Sequence, residues 1–285
     1  MKGIFYDITL NHYPSIYRPS NRLLISGDSF RNFSNHIFDE TNTLKTTRVK
    51  NNDLVFVNGS VLNIFLKFYH KKIDAKYILL VHNSLNTVNE DIKTFLDEKI
   101  IHCFAKNLNF TSNSKISLLP AGFKNKRYGS KEYNRLITHL LTKKSKPIKI
   151  DKIMGAFSLE THSDRVSLNN IIKNSDVIDN YKDLDTREYF NKLAQYKYSI
   201  CPRGTGLDSY RIWESLLVNT IPITLETPFS KNLKSYGIPI ILLNNWKDIL
   251  NFDENILSQN KFDDQSFNKF VKFDYWKSKI NNKKI

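Results

Sequence analysis

Residues 196–229 read YKYSICPRGTGLDSYRIWESLLVNTIPITLETPF, and this stretch determines how the rest of the chain is interpreted. A short apolar run at residues 198–200 leads into a glycine-containing loop, and a helical pattern follows over residues 208–218. A second apolar run, at residues 221–225, completes the unit. Strand, loop, helix and strand in this order predict a βαβ unit, which is the building block of a parallel sheet.

The loop of this unit carries residues suited to binding phosphate. Gly204 and Gly206 permit positive φ angles and let a ligand approach the main chain closely. We expect the helix to begin near Asp208, where free N–H groups and the positive end of the helix dipole attract an anion. A guanidinium beside the loop adds a planar fork of donors that binds phosphate oxygens in pairs. The candidate phosphate ligands of the loop are Arg203, Gly204, Thr205 and Gly206.

Arg211 and Glu214 lie three residues apart in the predicted helix, so they share one face. A carboxylate one turn into such a helix can accept hydrogen bonds from the two hydroxyls of a ribose, and we assign that role to Glu214. Asp208, Arg211 and Glu214 could instead form a ladder of surface ion pairs, which would contribute little stability. The spacing alone does not separate these two interpretations.

The remainder of the chain repeats the alternation of strand and helix patterns. Apolar runs that predict strands occur within residues 22–26, 53–57, 76–81, 100–104, 115–119, 147–157 and 238–243. Helical periodicity covers residues 61–71, 89–96 and 130–141, and Thr186 is a suitable cap for a further helix. The predicted fold class is therefore α/β with parallel sheets, in which ligands gather at the carboxyl ends of the strands.

The basic sequence KKSKP at residues 143–147 predicts a linker between two domains, although a simple surface loop is an alternative. We accordingly place an N-terminal domain at residues 1–142 and a C-terminal domain at residues 147–261. Residues 262–285 predict a terminal helix, because their apolar positions fall on one side: Phe267, Phe270, Val271 and Trp276.

The chain of 285 residues carries a formal net charge of +15 and has a pI of about 9.6. Such a charge attracts polyanions, namely nucleic acid, an anionic membrane surface or phosphorylated small molecules. The lysine-rich, alanine-poor composition of proteins from AT-rich genomes would explain the charge equally well. Cys103 and Cys201 imply no disulfide framework, and their spacing matches no zinc site, so we expect no bound metal.

The sequence contains no stretch of about 18 apolar residues, which is the length that a transmembrane helix needs. Residues 1–10 also lack the apolar run of a signal peptide. We therefore expect a cytoplasmic protein without an integral membrane segment. Peripheral contact with an anionic membrane stays compatible with the positive charge.

As a whole, residues 201–216 resemble the signature of the exostosin-type glycosyltransferases, a pattern like CPRGxGxDxxRxWEaL followed by an apolar IPV strand. Here the pattern reads CPRGTGLDSYRIWESL, and the strand reads IPI at residues 221–223. Weaker similarity to small exostosin-like enzymes lies upstream, in LVHNS (80–84), IHCFAKN (101–107) and LLPAGF (118–123). We expect no signal anchor of the kind that the Golgi exostosins of animals carry, so a bacterial or viral cytosolic enzyme is the better comparison.

The resemblance implies the GT-B class, in which two Rossmann-like domains face each other across a cleft and a C-terminal helix crosses back. It implies that residues 1–142 bind the acceptor, that residues 147–261 bind the nucleotide sugar, and that the helix in residues 262–285 packs on the N-terminal domain. It implies an inverting transfer from a nucleotide sugar to a glycan acceptor, with a UDP-linked donor such as UDP-xylose or another UDP-hexose or UDP-pentose. Such enzymes usually need no metal or other cofactor, because basic side chains and a helix N-terminus stabilise the leaving diphosphate. The donor site is then formed by Arg165, Arg203, Gly204, Thr205, Gly206, Asp208, Arg211 and Glu214.

Two catalytic tasks remain under this interpretation. Negative charge that develops on the leaving diphosphate needs fixed cations. Arg203 is the first candidate, and Arg165 is either the second or an ordinary surface arginine. The acceptor hydroxyl needs a general base, for which Asp28 and His82 both follow predicted strands. Each of these could equally be structural, as a turn-forming aspartate or a hydrogen-bonded histidine.

Three other interpretations stay open. A basic nucleic-acid-binding protein would use the charge and the aromatic residues, but the lysines are scattered and no nucleic-acid motif occurs, so we expect no nucleic-acid partner. An NAD enzyme would need a GxGxxG loop, which the sequence lacks. A non-catalytic carbohydrate-binding relative of the transferases would have no need of an intact Arg203, Arg211 and Glu214.

Overall fold

The computed structural model describes residues 17–143, 147–251 and 267–285, and they form two five-stranded parallel sheets. The strands of the first sheet are β1 His36–Phe38, β2 Leu54–Asn58, β3 Tyr77–His82, β4 Ile100–Ala105 and β5 Ile116–Leu118. Those of the second are β6 Ile150–Gly155, β7 Ile178–Asn180, β8 Tyr196–Ile200, β9 Ile221–Leu225 and β10 Ile241–Leu243. The first sheet has the order β1-β2-β3-β4-β5, and the second has the order β10-β9-β8-β6-β7.

The central strands of the first sheet are buried along their whole length. β2 reads LVFVN and β3 reads YILLVH, and every residue of both strands is buried. Strands of a parallel sheet are covered on both faces, which is why these runs show no alternation of apolar and polar residues. The strands predicted at residues 53–57, 76–81 and 100–104 are confirmed within a residue or two.

The first sheet is accompanied by helices of unequal regularity. They are α1 Gly27–Phe33, a helical segment around α2 Leu62–Ile64 that continues as a π-helix over Phe65–Tyr69, a 3-10 helix over Glu90–Phe95, and α3 Lys131–Thr142. Ser130 caps α3 by accepting a hydrogen bond from the backbone N–H of Tyr133. This cap fixes the start of α3, and Tyr133 of α3 contacts Glu214 in the other half of the molecule.

The second sheet alternates with regular helices: α4 Ser163–Ile172, α5 Thr186–Gln195, α6 Tyr210–Leu217 and α7 Pro228–Ser235. A capping box fixes the start of α5, because the side chain of Asp185 accepts from Glu188 N–H and Glu188 accepts in return. The predicted cap, Thr186, is therefore the first residue of the helix instead. The two parallel sheets with their helices confirm the predicted α/β fold class with two Rossmann-like halves.

Several sequence predictions differ from the observed elements. Residues 22–26 do not form a strand of the sheet, because Leu24 and Ser26 make only isolated bridges and Ser26 caps α1. The helix predicted from Asp208 begins at Tyr210. Helices α1, α4 and α7 and strands β1 and β7 were not predicted, since they are short or polar. Residues 144–146, within the predicted linker, lie outside the described residues.

The C-terminal residues return to the first half of the molecule. A 3-10 turn at Phe267–Val271 precedes α8, Phe273–Asn281. Ile25 N–H donates to Val271 O at 3.1 Å, and Phe273 N–H donates to Leu23 O at 2.9 Å. The predicted C-terminal helix that crosses back is thus observed over part of its length, while residues 262–266 lie outside the described residues.

One apolar cluster joins the two halves. It extends from the strands of the first sheet to α5, α6, α7 and α8. Trp213 of α6 and Trp276 of α8 are both fully buried, and their rings meet edge to face at 6.3 Å. None of the helices within the described residues is long and apolar enough to cross a membrane.

Candidate functional site

A cleft of about 540 Å³ opens at the carboxyl ends of β6 and β7. Its walls are the loop after β6, residues 156–160, the loop after β7, residues 180–186, and facing side chains of α5 and α6. Lys124 and Tyr133 reach it from the first half of the molecule. The location agrees with the rule that ligands of open parallel sheets bind at the carboxyl ends of strands.

Glu214 of α6 lies in the wall of this cleft with its carboxylate held at both oxygens. Tyr133 donates its hydroxyl to Oε1 at 2.9 Å, and Tyr189 donates to Oε2 at 3.1 Å. The side chain is buried, so the two hydroxyls replace water around the charge. A carboxylate offers about four acceptor positions. Two of them are left for a ligand, and the alternative of a surface ion pair for Glu214 is wrong.

Arg211 lines the cleft one helical turn from Glu214. Its Nε donates to Ala156 O at 2.6 Å, which anchors the side chain to the end of β6. Its two Nη groups make no hydrogen bond to any described residue. Across the cleft, the Nζ of Lys124 lies 5.3 Å from the centre of the Tyr133 ring. Two cations from opposite halves of the molecule therefore face the same space.

Arg165, predicted as a phosphate ligand, is buried and binds three main-chain carbonyl groups. Its guanidinium donates to Arg203 O at 2.8 Å, Ser158 O at 3.0 Å and Pro202 O at 3.0 Å. Burial, followed by repulsion from Arg211, lowers its pKa to about 10. Since each of its three nitrogens donates to a carbonyl oxygen, Arg165 positions the loops after β6 and β8, and it is not among the residues that line the cleft.

The glycine loop has a different conformation from the one predicted. Gly122 and Gly237 have positive φ angles, whereas Gly204 and Gly206 do not. A side chain at Gly206 would lie 3.1 Å from the Asn107 amide nitrogen, so this glycine permits close contact with protein instead of ligand. The loop is followed by bends before α6 begins at Tyr210, and Ser209 makes no side-chain cap.

Arg203 and Thr205 contact the loop itself and a neighbouring segment. The Nε of Arg203 donates to Gly204 O and its Nη2 to Thr205 O, both at 3.3 Å. Thr205 Oγ1 donates to Thr161 O at 3.3 Å. Neither side chain is among those that line the cleft. The structure thus brings Arg211 and Glu214 together in the cleft and leaves Arg203 and Thr205 beside it.

Asp208 joins the two halves of the molecule. Its Oδ2 accepts from Ala121 N–H at 2.6 Å, and its Oδ1 accepts from Trp213 Nε1 at 2.9 Å. Its own N–H donates to Asn107 Oδ1 at 3.0 Å. Burial raises the pKa of Asp208 to about 6, against the effect of these bonds and of Lys106. These bonds connect Asp208 to both halves of the molecule, and Asp208 is not among the residues that line the cleft.

His82 ends β3 with both ring nitrogens engaged. Nε2 donates to Pro120 O at 2.9 Å, and Nδ1 accepts from Asn83 N–H at 2.7 Å. Burial, then the charge of Lys106, lowers the pKa of His82 to about 3. The histidine is therefore a neutral structural residue here, and no ring nitrogen is free to take a proton from an acceptor.

Asp28 lies in α1 and not at a strand end, and its side chain is 1% exposed. Asn83 Nδ2 donates to its Oδ1 at 2.9 Å, while its Oδ2 is buried without a hydrogen-bond partner among the described residues. Arg127 Nε is 3.7 Å from Oδ2 and Arg18 Nη1 is 3.9 Å from Oδ1. Burial raises the pKa of Asp28, against the Asn83 bond and these arginines. Of the two proposed bases, only Asp28 has an unengaged acceptor.

Two of the known proteins that this chain is similar to are glycosyltransferases. This chain is similar in sequence to a glycosyltransferase. Over 94 residues it is 28% identical to ribitol-5-phosphate xylosyltransferase 1 of Homo sapiens, an alignment that covers 27% of this chain and 21% of that protein. No family model matches the chain. The crystal structure of an α1,3-fucosyltransferase with GDP-fucose aligns with 86% of this chain and 95% of that chain, at 11% identity and a TM-score of 0.35.

Sequence reasoning missed four residues that line the cleft beside Arg211 and Glu214: Lys124, Tyr133, Tyr189 and Tyr210. Nothing in the sequence pattern marked the hydroxyl of Tyr189 as a partner of Glu214. Lys124 directly follows the LLPAGF motif at the end of β5, and that position is the signal that would have identified it. Within the described ranges, no group of three His, Cys, Asp or Glu side chains is placed to hold a metal ion.

Proposed function

We propose that this protein is a glycosyltransferase that moves a sugar from a nucleotide-sugar donor to an acceptor hydroxyl. The observation that carries the proposal is the buried Glu214 carboxylate in the wall of the cleft, with acceptor capacity left over beside Arg211. The sequence similarity to a xylosyltransferase supports the same reaction class. We further propose a UDP-linked donor, a glycan acceptor and inversion at the anomeric carbon.

The donor nucleotide binds in the cleft with its ribose at Glu214. Tyr133 and Tyr189 hold the carboxylate in place, so that its free lone pairs point to one position before the ligand arrives. Hydrogen bonds between a ribose hydroxyl and a charged acceptor are stronger than those between neutral groups. This arrangement supports the ribose-binding role that the sequence pattern predicted for Glu214.

The leaving diphosphate meets cations from both halves of the molecule. Arg211 presents its Nη groups from α6, and Lys124 presents its Nζ from the loop after β5. Positive groups fixed where charge develops lower the barrier without reorganisation, and they do so without a metal ion. In this scheme Arg165 holds the loops in shape, and Arg203 stays beside the cleft.

The acceptor hydroxyl transfers its proton to Asp28. The Oδ2 atom accepts no hydrogen bond from the described residues, and this feature and the raised pKa of Asp28 suit a general base. Because the side chain is 1% exposed and Arg127 lies 3.7 Å from Oδ2, the hydroxyl reaches Oδ2 only after Arg127 shifts. Turnover should therefore fall as the pH drops through the raised pKa of Asp28. Asp28→Asn should lower kcat by about 100-fold or more and leave nucleotide affinity unchanged.

The first experiment is a thermal-shift screen of the protein against UDP, GDP, CMP and NAD. A ligand that binds only the folded state raises Tm by an amount set by its concentration relative to its Kd. We expect a shift with UDP, and a loss of affinity of about tenfold or more in Glu214→Gln. The matched control is Glu132→Gln, which alters an exposed carboxylate outside the cleft. An absence of any nucleotide shift, together with salt-sensitive binding of an oligonucleotide, would contradict the transferase proposal.

A further inference from the structure

A second cavity, of about 290 Å³, lies at the carboxyl ends of β3 and β4. It is lined by Gly27, His82, Asn83, Ser84, Leu85, Lys106, Ala121, Phe123, Asn125, Arg127, Tyr128 and Tyr210. Of these residues, only Tyr210 belongs to the second half of the molecule, and it also lines the donor cleft. The two cavities therefore share one wall.

The open side of this cavity carries two aromatic rings. Tyr128 is 68% exposed and Tyr210 is 37% exposed, so both rings present apolar surface to the solvent side of the cavity. The guanidinium of Arg127 lies 4.6 Å from the centre of the Tyr128 ring. A cation at that distance holds the ring in place through a cation–π contact.

The inner side of the cavity is a fixed set of polar groups. Asn125 Nδ2 donates to Asn83 Oδ1 at 3.0 Å, and Asn125 Oδ1 accepts from Asp28 N–H at 2.8 Å. Gly27 allows this close packing, because a side chain there would collide with Asn83 and His82. The amides are thus locked in position, which is what recognition of a small polar ligand requires.

Lys106 has donor capacity that the protein does not use. Its side chain is buried, and its Nζ donates to Ser84 O at 3.1 Å. An ammonium group has three N–H donors, and the described residues supply this one acceptor. Burial lowers the pKa of Lys106, against the charge of Asp208. A ligand with oxygen acceptors in the cavity would relieve the cost of the unpaired donors.

We propose that this cavity is a subsite for the sugar ring or polyol that receives the transferred group. The C–H face of the ring packs against Tyr128 and Tyr210, and its hydroxyls accept from Lys106. The mixture of apolar walls and fixed donors fits a neutral polyhydroxyl ligand. This inference rests on the proposed function and says where the acceptor binds. Because Tyr210 lines both cavities, an acceptor in this one places its hydroxyl at the edge of the donor cleft.

The test measures sugar binding and nucleotide binding separately in the same variants. Saturation-transfer NMR is run on the full chain with UDP present and with xylose, galactose, glucosamine and ribitol as probes. Tyr128→Ala should weaken binding of the probe by about fivefold, since an aromatic contact of this kind contributes modestly. Tyr128→Phe should bind as the wild type does, because the ring and not the hydroxyl makes the contact. Tyr17→Ala, another exposed tyrosine outside the cavity, is the matched control.

Each result has a defined meaning. Loss of sugar binding in Tyr128→Ala, with UDP affinity unchanged and Tyr17→Ala normal, supports the subsite. Three results would overturn it: UDP-sugar displaces the bound probe, Tyr128→Ala leaves sugar binding intact, or none of the probes binds. If UDP itself fails to bind, the proposed function fails instead, and the two failures are distinguishable by the thermal shift.

Discussion

Residues 201–208 and residues 210–214 adjoin in one continuous motif, yet the structure uses them for opposite purposes. The first stretch contacts protein: Arg165 binds two of its carbonyls, and Asp208 binds Ala121 across the junction of the halves. The second stretch presents Arg211 and Glu214 to an open cleft. A glycine-containing motif can thus connect the two halves of the molecule, while the helix that follows it lines the ligand cleft. We call the hydrogen bonds of Asp208 with Ala121, Trp213 and Asn107 the joint.

A similar contrast separates the two proposed substrate sites. The donor cleft is larger and is bordered by loops of the second half, whereas the second cavity is smaller and is bordered by strand ends that hydrogen-bonded amides lock. Asn83 and Asn107 at these strand ends have positive φ angles of 56° and 55°. Asparagine tolerates this conformation better than most residues, so the locked edge depends on residue type at both turns.

The largest effect on stability is expected from loss of the hydrogen bonds that the Asp208 carboxylate accepts. Asp208→Ala leaves the buried N–H of Ala121 and the Nε1–H of Trp213 without an acceptor. Each lost partner costs about 1–3 kcal/mol, so the free energy of unfolding at pH 5 should fall by about 3 kcal/mol in urea denaturation. Asp176→Ala, at an exposed position, should change it by less than about 0.5 kcal/mol. Equal effects of the two variants would show that Asp208 is not a joint.

The next effect concerns binding and not stability. Arg211→Ala removes the guanidinium that faces the cleft, so UDP affinity should fall by about tenfold, which is the contribution of one charge-assisted bond. The unfolding free energy should change far less than in Asp208→Ala. Arg203→Ala is the paired variant, because that side chain lies beside the cleft. A larger loss of affinity in Arg203→Ala than in Arg211→Ala, measured by calorimetry, would reverse the assignment.

The pH dependence of the joint gives a smaller effect of defined sign. The pKa of Asp208 is about 6 in the folded protein, above the ordinary value of 3.8. The folded state therefore binds more protons between these values, and the contribution of Asp208 to stability is present at low pH and lost as the pH rises through about 6. The difference in unfolding free energy between wild type and Asp208→Ala should shrink by about 1 kcal/mol from pH 5 to pH 8. A difference that grows with pH would contradict the raised pKa.

The sequence predicted the regular parts of the fold, because buried parallel strands are apolar along their length. It predicted Glu214 and Arg211 as partners on one helix face, since helical spacing depends only on local geometry. It did not predict the contacts of Arg165 or Asp208, because Arg165 binds main-chain groups at Ser158 and Pro202 and Asp208 binds the main chain of Ala121. Main-chain hydrogen bonds to distant segments leave no signature in residue type, so a charged residue near a glycine loop is assigned to a ligand by default.

The smallest effect distinguishes the two glycines of the loop. If both served a ligand or a positive φ angle, alanine would be harmful at each. In the structure neither φ is positive, and a side chain at Gly204 meets Thr161 Oγ1 at an ordinary 3.4 Å. Gly204→Ala should therefore be neutral or stabilising by about 0.5 kcal/mol, through the reduced entropy of the unfolded chain.

Gly206→Ala should instead destabilise the protein by about 1 kcal/mol, as expected for modest overpacking. Its new methyl group would press on Asn107 at 3.1 Å, and the Asn107 side chain accepts the N–H of Asp208. The substitution Gly206→Ala should therefore weaken the same joint to which Asp208 belongs. Urea denaturation of both variants measures the difference directly. The double variant Gly206→Ala, Asp208→Ala should lose less unfolding free energy than the sum of the two single losses. The reason is that Asp208→Ala has already broken the joint that the Asn107 contact supports. Simple additivity would place Gly206 outside the joint.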